Sequence, residues 1–101
     1  FPLAEAEMYF KQTISKKQQS LVNQYSDSES KEVVEEYQNL ITELEEQYLQ
    51  LEKDLAISGD ERIVVAMIKN YKTRIELLEE LILQLNYINH LKKQNHENPN
   101  A

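Results

Sequence analysis

The stretch Leu55–Leu81, LAISGDERIVVAMIKNYKTRIELLEEL, holds the single glycine of a 101-residue chain, and its reading decides the fold. It poses a choice between a loop that gathers Asp60, Glu61, Arg62 and Arg74 into a working site and a bend between two long helices. Helix-end chemistry accounts for each of these residues. Gly59 tolerates the left-handed conformation common just past a helix C-terminus. Asp60 or Ser58 can cap the next helix, and Glu61 suits its first turn beside the positive end of the dipole. If Ser58 is the cap, Glu61 completes a capping box. Arg62 reads as a solvated neighbour, and Arg74 lies some turns further on. The stretch is a bend.

Periodicity on both sides supports this. Upstream, Glu29–Ile57 carries Val34, Tyr37, Ile41, Leu44, Tyr48, Leu51 and Leu55 at alternating spacings of three and four, with Val33 and Leu40 widening the stripe. Downstream, a segment from about Asp60 to Lys93 carries Val64, Ile68, Tyr71, Ile75, Leu78, Ile82 and Leu85 in the same rhythm, flanked by Met67, Leu81 and Ile88. Such recurrence excludes a strand and predicts coiled-coil-like packing. The two segments span about 44 and 51 Å at 1.5 Å per residue, and a short connection makes them an antiparallel hairpin. Folding about Ser58 and Gly59 brings Tyr48 towards Ile68, Tyr37 towards Leu81, and Arg74 towards Glu43 and Glu46, where an interhelical ion pair would set the register.

A first segment, about Leu3–Tyr25, places Leu3, Phe10, Ile14, Leu21 and Tyr25 near one face, with Met8, Tyr9 and Val22 beside it and Lys17 and Gln18 interrupting. The SDSES run at Ser26–Ser30 breaks it, and Ser26 with Glu29 offers a capping box. The expected fold is therefore all-α: one domain, residues 1–101, forming a three-helix bundle dominated by the long hairpin. Its helices run over about 3–25, 29–57 and 60–93, before a disordered tail at 94–101. The first helix fits the hairpin groove, or pairs equally well with another copy.

Composition narrows function by exclusion. The net charge is -7, and between Asp27 and Glu61 twelve acidic side chains face only Lys31 and Lys53, a net of -10. Such a surface repels nucleic acid and anionic membranes. With no cysteine there is no disulfide or thiolate site. No apolar run is long enough to span a bilayer. The first residue is Phe1, which suggests processing or a boundary and leaves room for a membrane span upstream. His90 and His96 stand six apart and form no H-E-x-x-H motif, so neither a metal nor a cofactor is expected. The carboxylate pairs Glu35/Glu36, Glu45/Glu46, Asp60/Glu61 and Glu79/Glu80 lack the desolvated pocket that acid–base catalysis requires. Ser26, Ser28, Ser30 and Ser58 sit at helix boundaries, and one glycine cannot build a phosphate loop. Tyr37, Tyr48 and Tyr71 read as seam residues whose hydroxyls reach the edge. No enzyme is indicated.

Surface interaction remains. Leu49, Leu77, Leu83, Tyr87 and Leu91 fall off the main seams and are the candidate protein-interaction residues, for another protein or a second copy of this chain.

The motif DERIVVAMIKNYKTRIELLEELILQL at Asp60–Leu85, read with AEMYF at Ala6–Phe10, resembles small membrane-linked, anti-sigma-like proteins of Bacteroidetes-type bacteria. Glu7, Tyr9, Asp60, Glu61, Arg62, Asn70, Tyr71 and Arg74 carry the likeness. Those proteins resemble products found beside extracytoplasmic-function sigma factors, with a cytoplasmic part, one membrane span and an extracytoplasmic helical segment to which this chain would correspond. The resemblance implies a periplasmic or envelope-associated domain for interaction or signal coupling, and brings no catalytic residue. A structural coiled-coil or cytoplasmic adaptor module is the alternative.

Overall fold

The computed structural model describes residues 3–21 and 28–97, and the side chains of all of these except 95–97. Three helices follow one another: α1 (Leu3–Leu21), α2 (Ser28–Ser58) and α3 (Glu61–Glu97). No strand occurs among the described residues. The bundle is an elongated body of 64 × 21 × 17 Å.

The bend between α2 and α3 is two residues long and chemically complete. Gly59 takes a φ of +63°, and its N–H donates to the Leu55 carbonyl at 2.8 Å, the single bond of an αL helix ending. The Ser58 hydroxyl donates back to the Asp54 carbonyl at 3.0 Å and accepts the Asp60 N–H at 3.2 Å. Asp60 is the N-cap of α3, its Oδ1 accepting the Arg62 N–H at 2.9 Å. Of the two candidate caps, Asp60 therefore serves α3 while Ser58 finishes α2. Arg62 is solvated, as expected, with its side chain 91% exposed, and its guanidinium also folds back on the Asp60 carboxylate at 2.7 Å. The Ser26 capping box, like residues 22–25 of the first segment, lies outside the described residues.

The hairpin is antiparallel, with the expected alignment to within one turn. The Tyr48 ring meets Tyr71 at 4.6 Å between centroids, one turn beyond Ile68, and the Tyr37 hydroxyl accepts from Gln84 at 2.9 Å, one turn beyond Leu81. Asn70 Nδ2 donates to the Leu44 carbonyl at 2.8 Å across the same seam.

α1 packs in the same chain. Phe10 stacks on Tyr71 with centroids 5.4 Å apart, and Lys17 pairs with Glu79 at 3.2 Å, so α1 runs parallel to α3. The close backbone approaches are α2 with α3 and α1 with α3; α1 and α2 make none. α3 is thus the central helix.

That position changes which residues form the core. The buried set is Ile14 and Leu21 from α1, Val34, Tyr37, Ile41 and Tyr48 from α2, and Met67, Tyr71, Leu78, Leu81 and Leu85 from α3. On α3, Met67 and Leu81, expected on a flank, are almost wholly buried, whereas Val64, Ile68, Ile75 and Ile82 of the expected seam are only partly covered. The physical reason is that α3 serves two partners. Its deepest line points into the wedge between them, and each former edge faces one partner. Full burial of such aliphatic side chains is worth roughly 1.5–3 kcal/mol each, so this line carries most of the cohesion.

Two further expectations are corrected. Met8, Tyr9 and Leu40 do not join the stripe but stand exposed. Residues 94–97, expected in the tail, continue α3 to Glu97. No glycine or proline interrupts the chain between Asp60 and Asn98, so nothing stops helical hydrogen bonding until the approach to Pro99.

Candidate interaction surface

Three of the five off-seam residues come together. Leu83, Tyr87 and Leu91 are spaced by four on α3, a spacing that stacks side chains along one helix face. They are 69%, 63% and 40% exposed, large values for apolar side chains. Leu83 and Tyr87, with Gln84 and Ile88, line a shallow depression of about 280 Å³. Leu49 is also exposed, but it belongs to α2 and does not continue this ridge. Leu77 is partly buried and packs against the core, so it does not join this exposed set.

The sequence carried a signal for this ridge beyond the off-seam positions. From Leu81 to Leu91 no Asp, Glu, Lys or Arg occurs, in a chain that is 29% charged. Loss of charge together with an exposed aromatic is the compositional mark of interface centres. Exposed Ile57 and Val65 form no part of this stretch; they lie towards the α2–α3 bend.

A second feature is internal. In the wedge where the helices meet, each contributes an aromatic ring: Phe10 from α1, Tyr48 from α2 and Tyr71 from α3. The Arg74 guanidinium carbon lies 5.0 Å from the centre of the Tyr71 ring. Its expected ion pair with Glu43 or Glu46 is not formed, since Arg74 lies on the deep line of α3 rather than its outer flank, and its Nε is buried without a hydrogen-bond partner. The Tyr48 hydroxyl likewise fails to reach an edge. It is buried without a partner, and burial, then the neighbouring Tyr71 phenol, raise its pKa far above the ordinary tyrosine value. Among the described residues, Asn70 Oδ1 is the third buried polar atom lacking a hydrogen bond. Tyr37 differs, because its hydroxyl is held by Gln84; burial and then the Glu80 carboxylate raise its pKa.

A groove of about 530 Å³ opens where α1 and α2 diverge, with Gln18 and Leu21 on one wall, Val34, Ile41 and Glu45 on the other, and Leu78 and Leu81 as its floor. Among the described residues, Glu45 is the only titratable side chain lining it. Glu35, Glu36, Glu45, Glu46, Glu79 and Glu80 are all exposed. Ser30 is fully buried. Among the described residues no three His, Asp or Glu side chains converge to hold a metal, and no helix is long and apolar enough to cross a membrane. His90 is exposed on α3, and the His96 side chain lies outside the described set.

The fold thus defines the chain as an all-α three-helix bundle. No family model, no curated protein and no solved structure matches it.

Proposed function

We propose that this chain is a non-enzymatic protein-interaction or signal-coupling domain that docks a partner through α3. One observation carries the reading: Leu83, Tyr87 and Leu91 stand exposed on successive turns inside an eleven-residue stretch without a charged side chain. A tyrosine between two leucines offers a large contact area at a small cost in side-chain entropy. The setting, a bacterial envelope regulatory system with a periplasmic or envelope-associated location, rests on the resemblance of Asp60–Leu85. The acidic α2 agrees with a protein partner rather than nucleic acid or an anionic bilayer.

Pull-down from native membranes with the intact protein tests this. Wild type is expected to recover a regulatory or membrane protein, and the Leu83→Ser/Tyr87→Ser double variant to lose it. Equal recovery by both would defeat the ridge, and recovery of neither class by wild type would defeat the envelope reading. A structural or oligomerisation module remains the second reading, because the same ridge suits another copy of this chain. Light scattering would then show a mass that doubles with concentration in wild type only.

A further inference from the structure

We propose that α1 is a strap that opens as a unit over a closed α2–α3 hairpin and uncovers an aromatic groove containing one guanidinium. It stands apart from the reading of the ridge, whose residues all lie on α3.

Three observations converge on it. First, α1 is held from one side: it approaches the backbone of α3 but not that of α2. Its hold consists of Leu3, Phe10, Ile14 and Leu21, broken midway by Lys17, which turns to the half-exposed Glu79. Second, the hairpin has its own seam and ties, from Asn70 to Leu44 and from Gln84 to Tyr37, in which α1 takes no part. Opening α1 therefore leaves a closed unit behind, the condition for a sub-global opening.

Third, the wedge beneath α1 retains polar groups that water would serve better. The Tyr48 hydroxyl and Arg74 Nε are buried there without hydrogen-bond partners, beside the ring of Tyr71 that Phe10 covers. A buried donor without a partner bears its full desolvation penalty, which hydration on opening removes. The groups that line the groove thus favour its opening. What opens is a surface of Tyr71 and Tyr48 with the Arg74 cation beside them.

Native-state hydrogen exchange on the full chain tests this. The amides of α1 should show protection lower by at least about tenfold than those from Met67 to Leu85, in separate isotherms. Tyr48→Phe keeps the ring contact and removes the hydroxyl, and it should raise α1 protection by about fivefold or more. Arg74→Met should act in the same direction, with the hairpin amides of each variant reporting that the fold is retained. Loss of protection in α1 and the seam as one cooperative unit would overturn the proposal. So would α1 protection that neither variant raises.

Discussion

Replacing Gly59 by alanine isolates a single energetic effect. Its φ of +63° lies in the left-handed region, and a Cβ built there meets no atom within 4 Å. Packing therefore contributes nothing, and the whole cost is backbone strain. An L-residue in that conformation costs roughly 1–2 kcal/mol. Alanine returns part of this by restricting the unfolded chain, leaving a net loss of about 1 kcal/mol. Asparagine, which enters the left-handed region more readily, should cost less than half as much. Urea denaturation followed by circular dichroism at 222 nm reads the difference as a lower midpoint at unchanged slope. The order glycine, asparagine, alanine is the signature. A neutral Gly59→Ala would mean that the turn readjusts and that αL geometry does not end α2. A loss beyond about 3 kcal/mol would mean that the Gly59–Leu55 bond and the Asp60 cap fail together.

Other outcomes follow from burial and charge. Leu85→Ala, at a fully buried position in the deep line of α3, should cost about 2–5 kcal/mol in the same titration. The exposed Leu83→Ser should stay within about 0.5 kcal/mol of wild type, which makes it a clean probe of docking. Asp60 gives an acid dependence. The Arg62 guanidinium, and then the Arg62 N–H, hold its pKa below the usual 3.8. Its contribution is present above that value and lost as pH falls through the lower folded one. Asp60→Asn retains a cap without the charge, so between about pH 5 and pH 2 the variant should lose less stability than wild type.

The hairpin was legible because heptad spacing and one glycine leave few alternatives: two long stripes and a short link close in only one way. The rotation of α3 was not. A stripe shows which side of a helix is apolar, and α3 is apolar broadly enough for two partners, so periodicity cannot say which line is deepest. Met67 and Leu81 therefore looked like flanks, and Arg74, being charged, looked like an edge. A guanidinium lying against Tyr71 is a tertiary fact that no spacing announces. Of the candidate interaction residues, Leu83, Tyr87 and Leu91 could be placed on one face because consecutive turns of one helix keep their relation whatever the fold. Leu77 could not be separated from them, because its covering depends on neighbours brought together only by the tertiary fold.

The central place of α3 also governs the order in which the chain can assemble as it is made. α1 and α2 leave the ribosome first, yet they have no close approach to each other. Neither finds its native partner until the sequence beyond Glu61 appears. α2 meets it at once across a two-residue turn, a short loop to close. Phe10, by contrast, waits for Tyr71 across the whole of α2. Synthesis should therefore pass through a closed hairpin with α1 still loose, and of the three helices α1 should be the last to dock although it is made before the other two.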